Sequence, residues 1–364
     1  MKRILALMLS LIMAFSLAAC GSKDAPQQNN DTEKTKVITD GTGREVEIPS
    51  KVSRIICVNV GALRYACYMG AQDLVVGVED YEQEGEILRL YDYINVEKFK
   101  KLPVIGNNGE QYNEAIISAN PEVIFMKTPA KEDAEKLQNK TGIPVVAIPG
   151  SDTALDESEF ETIKIYGEAL NKQDRAKELT EYLNNIKADL NNRTKDIKDE
   201  DKPSVYIGCV SFKGHHGFEG TEANYGPLKL INANNLADTT DQKMAFNIDT
   251  EKVLKWDPDY IFLDFNGIPM LNDDYKKNPG FYNSLTAVKE GRVYSQISFR
   301  SYAANLDTAL ADAYYAGTII YPEQFKDVDP VKKAGEIFEF MLGENPYNDL
   351  KESGYEFRAL TLGK

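Results

Sequence analysis

The chain's only two histidines stand side by side in a polar loop, at His215 and His216 of "SFKGHHGFEGTEANYG". Adjacent side chains in a regular strand point to opposite faces, but the flanking Gly214 and Gly217 could bend the loop so that both imidazoles converge. A converging pair could complete the coordination sphere of a metal that arrives in a chelate, or donate hydrogen bonds to an anion. The alternative is a solvated pair without a ligand role. No protein-only zinc site is predicted, because the cysteines lie elsewhere and no HxxxH spacing occurs.

Cationic and aromatic residues accompany the histidines. Arg300 offers a planar fork of donors that suits a carboxylate or an oxyanion, and Lys213 precedes the histidine pair. Together they predict a basic mouth that binds a negatively charged ligand, with a salt bridge to a surface acid as the alternative for Arg300. Tyr225 and Tyr302 could stack on a planar ligand, and core packing is the alternative for each.

Two similar stretches indicate that the elements around these residues form a duplicated fold. "EAIISANPEVIF" begins at Glu114, and "EKVLKWDPDYIF" begins at Glu251. Each reads as a helix, a proline break and a strand, within a longer alternation of strands and helices. Such alternation predicts parallel α/β sheets, so we expect two Rossmann-like α/β lobes, residues 37–157 and 203–364.

Residues 158–202 lie between the two lobes and are predicted to form one linking helix. From Gln173 to Lys198 there is neither proline nor glycine, and apolar residues recur at helical intervals. That stretch alone would make a rod of roughly 40 Å at 1.5 Å per residue. We expect this helix to hold the lobes at a fixed distance, with the ligand cleft between them.

The carboxyl ends of the predicted strands identify further candidate residues. Ligands of parallel α/β sheets bind in crevices at those ends. Asn59 follows "IICV", Asn107 follows "PVI" and Lys127 follows "VIFM". We therefore expect all three to contact the ligand, together with the residues of the histidine loop and Arg300.

The N-terminal segment is predicted to direct export and anchoring of the protein and not to belong to its folded lobes. Residues 1–19 have a basic start, an apolar run and small residues, which is typical of a signal peptide. "LAAC" resembles the lipobox of bacterial lipoproteins, in which the cysteine is acylated, so Cys20 is the expected lipidation site. Residues 20–36 read as a flexible tether. A transmembrane anchor is the alternative, but the apolar run is short. The expected location is the extracytoplasmic face of the cell membrane, held by lipid alone.

Composition and missing motifs exclude other classes. The formal net charge is −15, which argues against nucleic acid as a partner. Cys57, Cys67 and Cys209 have no CxxC spacing and are predicted to be buried free thiols. No G-x-S-x-G, H-E-x-x-H or phosphate-loop motif occurs, so an enzyme is only a distant alternative and no cofactor is expected.

These features together resemble the substrate-binding lipoproteins of ABC importers for ferric siderophores, haem and corrinoids. The resemblance rests on the lipobox, "VITDGTGREVEIPSKVSRIICV", "GNNGEQYNEAIISANPEVIF" and "LTAVKEGRVY", and it covers the chain from Val37 to Leu342. It implies a monomer with two lobes, one rigid linking helix and little closure on ligand. It also implies that Glu114 and Glu251 dock onto arginines of a permease dimer, which works with ATPase subunits. A simple preference for a helix N-terminus is the alternative for these glutamates.

The resemblance leaves the ligand open. A ferric siderophore leads, haem and corrinoids follow, and an oxyanion such as molybdate or tungstate is the alternative. A wide aromatic cleft would favour a chelate, whereas a small basic pocket would favour an oxyanion. No residue is predicted to bind a metal directly, although His215 and His216 could reach one through a bound chelate.

Overall fold

A computed structural model describes residues 35–149 and 155–363 of the chain. The predicted signal peptide, Cys20 and nearly all of the predicted tether lie outside the described residues. The tether was predicted to end at Lys36, but the first strand already begins at Thr35. Lys36 is fixed there because its ammonium group donates to the Glu168 carbonyl oxygen at 2.7 Å and to Asn171 Oδ1 at 2.6 Å.

The first lobe is built on a parallel sheet in the order β3-β7-β8. Every residue of β3 is buried, as its apolar sequence "IICV" predicts for a strand covered on both faces. An antiparallel hairpin, β1-β2, and a smaller sheet, β4-β5-β6, complete the lobe. Its strands are β1 (Thr35–Thr39), β2 (Glu45–Pro49), β3 (Ile55–Val58), β4 (Val78–Glu79), β5 (Val104–Asn107), β6 (Glu110–Gln111), β7 (Val123–Lys127) and β8 (Val145–Ile148). Its helices are α1 (Ala62–Tyr68), α2 (Leu90–Tyr93), α3 (Val96–Phe99), α4 (Asn113–Ala119) and α5 (Lys131–Thr141).

The linking segment is not one helix, as predicted, but two: α6 (Glu157–Leu170) and α7 (Gln173–Thr194). The break lies at Asn171, whose φ of 54° is left-handed, a conformation that asparagine tolerates better than most residues. The two helices pack closely because Gly167 has no side chain. A Cβ at that position would lie 2.7 Å from Cβ of Ala176. The longer helix, α7, has 22 residues and therefore spans about 33 Å.

The second lobe repeats the architecture with a parallel sheet in the order β11-β9-β13-β14. A short antiparallel pair, β10-β12, lies beside it. Its strands are β9 (Ser204–Gly208), β10 (Gly220–Glu222), β11 (Asn234–Asn235), β12 (Ala245–Asn247), β13 (Tyr260–Asp264) and β14 (Val293–Gln296). Its helices are α8 (Gly226–Leu230), α9 (Thr250–Trp256), α10 (Ile268–Lys277), α11 (Pro279–Tyr282), α12 (Thr286–Lys289), α13 (Leu306–Ile320), α14 (Pro330–Leu342) and α15 (Tyr347–Glu352).

The repeated twelve residues occupy equivalent places in the two lobes. Helices α4 and α9 have seven residues each and end at Asn120 and Asp257, both with left-handed φ. The strands that follow, β7 and β13, are inner strands of their sheets. The internal repeat is therefore a structural repeat.

Two acids at matching positions of the repeat have the same structural role in the two lobes. Glu122 accepts hydrogen bonds from the backbone N–H and hydroxyl groups of Ser53, just before β3. Asp259 accepts the same two bonds from Ser204, the first residue of β9. In each lobe the acid of the repeat therefore fixes the start of the neighbouring strand, which satisfies a backbone donor at the sheet edge.

The three cysteines of the described residues confirm one sequence prediction. Cys57, Cys67 and Cys209 are buried and form no disulfide with one another. Burial raises the pKa of each thiol, so all three stay protonated. Among the described helices, none is long and apolar enough to cross a bilayer.

Candidate ligand-binding cleft

Residues from both lobes line one cavity of about 980 Å³. Six of the nine predicted ligand contacts lie on its wall: Asn59, Lys127, Lys213, His215, Arg300 and Tyr302. Asn59 directly follows β3, and Lys127 is the last residue of the neighbouring parallel strand β7; the Asn59 side chain donates to the Lys127 carbonyl oxygen at 2.8 Å. The cavity therefore lies where the carboxyl ends of strands were expected to place it, and ligand contact by these residues stays a prediction.

Three predicted contacts do not line this cavity. Asn107 is the last residue of β5 and is paired with Glu110, so the hairpin tip places Asn108 and Gly109 on the wall instead. Tyr225 is buried in the core and meets the Phe299 ring edge-on at 5.3 Å. For Tyr225 the core-packing alternative describes the structure.

The histidine pair does not converge on the cleft. His216 stacks on Phe212 with ring centroids 4.0 Å apart and donates from Nε2 to the Phe212 carbonyl oxygen at 2.8 Å. The loop lies tightly against Gly267, where a Cβ would come within 2.1 Å of the His216 carbonyl oxygen. Of the two histidines, only His215 is exposed and lies on the cavity wall. In the described residues, no three His, Cys, Asp or Glu side chains form a group that could hold a metal ion.

Arg300 reaches the cleft from a buried ion pair. Its Nε donates to Glu222 Oε2 at 2.5 Å, and its terminal nitrogen donates to the other carboxylate oxygen. The side chains of Arg300 and Glu222 are 12% and 3% exposed. The acid that pairs with Arg300 is therefore a buried one, not the surface acid of the sequence-based alternative. The bidentate ion pair fixes the orientation of the Arg300 guanidinium, and Arg300 lines the cavity.

A stack of two tyrosines and an arginine joins the lobes at the cleft. Tyr302 of the second lobe stacks on Tyr81 of the first at 4.4 Å, and the Arg89 guanidinium lies 4.6 Å from the Tyr302 ring centroid. Arg89 is held by Asp92 at 2.9 Å and Glu84 at 3.0 Å. Arg89 is not among the contacts predicted from the sequence. The available signal was a lone arginine in the apolar run "ILRLYDY", with an acid three residues later.

Charge on the wall is net positive although the chain is acidic. The four cationic side chains are Arg89, Lys127, Lys213 and Arg300, whereas Glu84 and Glu86 are the two acidic ones. Behind the wall, buried Glu222 pairs with Arg300 and buried Asp92 pairs with Arg89, so the positive excess belongs to the side chains that line the cavity and not to the acids beneath them. Coulomb attraction is stronger in a partly enclosed cavity than in bulk water. The cleft is therefore suited to an anionic ligand.

The backbone beneath the cleft is held in uncommon conformations. Tyr302 and Ala303 are consecutive non-glycine residues with φ of 52° and 66°. Buried Arg64 of α1 supports this turn by donating to the carbonyl oxygens of Tyr302, at 2.6 Å, and Ala304. Such conformations cost of order 1 kcal/mol or more each and persist where the surroundings hold them. Arg64 therefore holds the backbone of Tyr302, which lines the cavity, from the opposite lobe.

A buried carboxyl behind the cleft makes stability depend on pH. Asp264 accepts hydrogen bonds from the Ser298 hydroxyl and the Asn266 N–H, and Asn266 lines the cleft. Desolvation by burial raises the pKa of Asp264 to about 7, above the usual 3.9 or so of an unfolded aspartate. Between about pH 4 and pH 7 the native state therefore holds a proton that the unfolded state releases, so this group's stabilisation falls as pH rises through that range.

Replacing this carboxyl should flatten the pH dependence. In Asp264→Asn, the decline in the free energy of unfolding between pH 4.5 and pH 7.5 should be smaller than in the wild type, because the titrating group is gone. Urea unfolding at several pH values measures the slope. The control is Asp273→Asn, an exposed carboxylate whose pKa is lowered by Lys276. Equal slopes in Asp264→Asn and the wild type would contradict the prediction.

Comparison with known proteins identifies the family. The family model described as "Periplasmic binding protein" matches residues 69–296, which is more than half of the chain. The chain belongs to the periplasmic binding protein family. This confirms the predicted family and its two-lobed α/β fold.

Several members of the periplasmic binding protein family are similar along most of the chain. The "Fe(3+)-citrate-binding protein YfmC" of Bacillus subtilis is 25% identical over 312 residues, 80% of this chain and 89% of its own length. The "Iron-uptake system-binding protein" of the same organism is 25% identical over 320 residues, 81% and 90% of the two chains. These relatives are binding proteins, so at the level of the family this chain is not an enzyme.

Solved structures of periplasmic binding proteins support the fold. A "periplasmic solute binding protein from Veillonella parvula" has a TM-score of 0.69 at 21% identity and covers 85% of this chain and 94% of its own. The molybdate-bound MolA protein of Haemophilus influenzae has a TM-score of 0.66 at 19% identity and covers 85% and 98%. At this identity the likeness extends to the fold alone.

Proposed function

We propose that this protein is the extracytoplasmic receptor of an ABC importer and that it captures an anionic iron chelate of the siderophore or citrate type. The observation that carries the proposal is the 980 Å³ cleft with a net positive, tyrosine-bearing wall. That volume lies at the upper end for small-molecule sites. A relative named for Fe(3+)-citrate supports the same ligand class.

The cleft favours a chelate over a tetrahedral oxyanion. Molybdate would fill only a small part of the cavity and would be too small to pack against the rings of Tyr302 and Phe212 on its wall. The fold alone does not distinguish a chelate from an oxyanion as the ligand, because MolA shares the fold and binds molybdate. Haem is the second chelate candidate, because IsdE of Staphylococcus aureus, a haem-uptake protein, is 24% identical over 63% of this chain.

Calorimetric titration of the purified chain tests the ligand class. We expect saturable binding of ferric citrate or a ferric hydroxamate, weaker binding of haem and no binding of molybdate. Native mass spectrometry with metal analysis of protein taken from its own producer is the independent measurement. A complex with molybdate alone would overturn the chelate proposal.

We infer that Glu114 and Glu251 dock the receptor onto its permease. Both are exposed and occupy the second position of α4 and α9. Asn113, the first residue of α4, borders a small side cavity that shares Asn59 and Gly109 with the cleft wall, so the helix that carries Glu114 begins near the cleft. Exposed carboxylates contribute more to encounter and orientation than to affinity. The proposed lipid on Cys20 would keep the receptor at the same membrane surface.

Removing both glutamates should separate transport from binding. Glu114→Ala with Glu251→Ala should leave the dissociation constant for the chelate unchanged and should lower uptake of labelled iron severalfold, because the partner's cations lose their counterparts. Exposed Glu161 and Glu178 serve as controls, because they lie on the linking helices. Uptake by the double variant at the wild-type rate would contradict the docking role.

A further inference from the structure

An exposed aliphatic side chain follows each docking glutamate by three residues. Ile117 on α4 is 48% exposed, and Leu254 on α9 is 38% exposed. They occupy matching positions of the internal repeat, 137 residues apart, and the residue before each, Ile116 and Val253, is fully buried in its lobe. In each helix, an apolar residue that packs inward is therefore followed directly by an aliphatic residue that is exposed to solvent.

Helix geometry puts each aliphatic side chain next to its glutamate. Residues three apart on an α-helix lie on the same face, with Cβ atoms about 5–6 Å apart. Glu114 and Ile117 are such a pair, as are Glu251 and Leu254. Single exposed aliphatic residues are common on protein surfaces and need no explanation. Recurrence at the same step after the same acid, on structurally equivalent helices, is a different observation.

The folding of the lobes does not require these two residues to be apolar. Neither belongs to the buried clusters of its lobe, and both are followed by exposed polar residues, Ser118 and Lys255. Other positions of the two helices have diverged: exposed Ser118 corresponds to Lys255, and half-buried Ala115 corresponds to exposed Lys252. What the exposed face has kept is the acid and the aliphatic side chain.

We propose that Glu114 with Ile117 and Glu251 with Leu254 form two equivalent docking patches that fit a partner with two like copies of one surface. Each copy would present a cation to receive the carboxylate and an apolar socket for the aliphatic side chain. This inference rests on the proposed function, in which the partner is the permease dimer of the importer. The apolar contact supplies affinity by removing hydrocarbon from water, and the glutamate supplies orientation.

Binding of the full mature chain to its own permease–ATPase complex in nanodiscs tests the proposal. Biolayer interferometry should show about a tenfold loss of affinity for Ile117→Ser and for Leu254→Ser, and a larger loss for the double variant. Val331→Ser is the matched control, because Val331 is an aliphatic residue, 43% exposed, on helix α14 away from the repeat. Circular dichroism and chelate titration should be unchanged in all four variants, because the replaced side chains are at the surface.

The outcomes separate this inference from the proposed function. Wild-type affinity in the serine double variant, with a loss in Glu114→Ala with Glu251→Ala, would overturn the apolar contact while docking stands. A loss in only one of the two single variants would overturn the equivalence of the patches. No association of the wild type with the complex, although the chelate binds, would overturn both the patches and the assignment to this permease.

Discussion

Arg300→Met should weaken binding of an anionic chelate and also lower the free energy of unfolding by about 3 kcal/mol or more. The binding loss follows from removing a cation at the cleft wall. The stability loss follows because Glu222, 3% exposed, would be left as a buried charge without its bidentate partner. Breaking a buried ion pair on one side typically costs 3–5 kcal/mol. The variant alone therefore mixes two effects.

A double variant separates them. Arg300→Met with Glu222→Leu replaces the whole pair by apolar groups of similar size, which is often neutral for stability. We expect its urea midpoint to return toward that of the wild type while its dissociation constant for ferric citrate or a ferric hydroxamate stays at least tenfold higher. A dissociation constant equal to that of the wild type in both variants would show that Arg300 does not contact the ligand.

The strand-end rule explains which cleft residues the sequence could reveal. Asn59, Lys127 and Arg300 follow apolar runs that read as strands, and parallel strands bring their carboxyl ends to one edge. Arg89 and Tyr81 could not be reached in this way, because they lie between β4 and β5 in short helices and turns. Their place at the cleft is set by packing against Tyr302 of the other lobe, which local pattern does not encode.

Two other errors have the same physical origin. Tyr225 lies in a polar stretch, yet the turn into α8 directs it into the core, and only the tertiary fold decides that direction. The break at Asn171 was missed because neither glycine nor proline stands at it, and the pattern free of both begins only at Gln173, where α7 is indeed unbroken to Thr194. Asparagine can adopt the left-handed conformation in place of glycine, so a helix can end where neither glycine nor proline occurs.

Contacts between the lobes, rather than one continuous helix, restrict their relative motion. Arg175 of α7 donates to the carbonyl oxygens of Tyr68 in the first lobe and Phe340 in the second. Tyr68 in turn donates to Asp307 Oδ1 at 3.0 Å and accepts from the Leu306 N–H at 3.1 Å. These bonds connect the linking helix α7 and the two lobes with one another. The small closure predicted from the sequence therefore remains a prediction, with this network as its physical basis.

Arg64→Met should loosen the contact between the two lobes at Tyr302 and Ala304. Arg64 is fully buried, donates to the Tyr302 and Ala304 carbonyl oxygens of the other lobe, and lies near Asp307, so its removal leaves buried acceptors and a carboxyl without their cation. We expect a loss of about 3 kcal/mol in the free energy of unfolding.

Small-angle scattering distinguishes a loosened cleft from simple destabilisation. The wild type should give nearly the same profile with and without ferric chelate. Arg64→Met should be more expanded than the wild type when empty and should compact on binding, because the Tyr302 turn is no longer held against the first lobe. Thr180→Ser, a small change at a half-buried position of α7, is the control variant. Identical scattering profiles and equal free energies of unfolding for Arg64→Met and the wild type would show that other contacts hold the lobes together. A large compaction of the wild type on binding would show that the lobes of the empty protein are not held together at all.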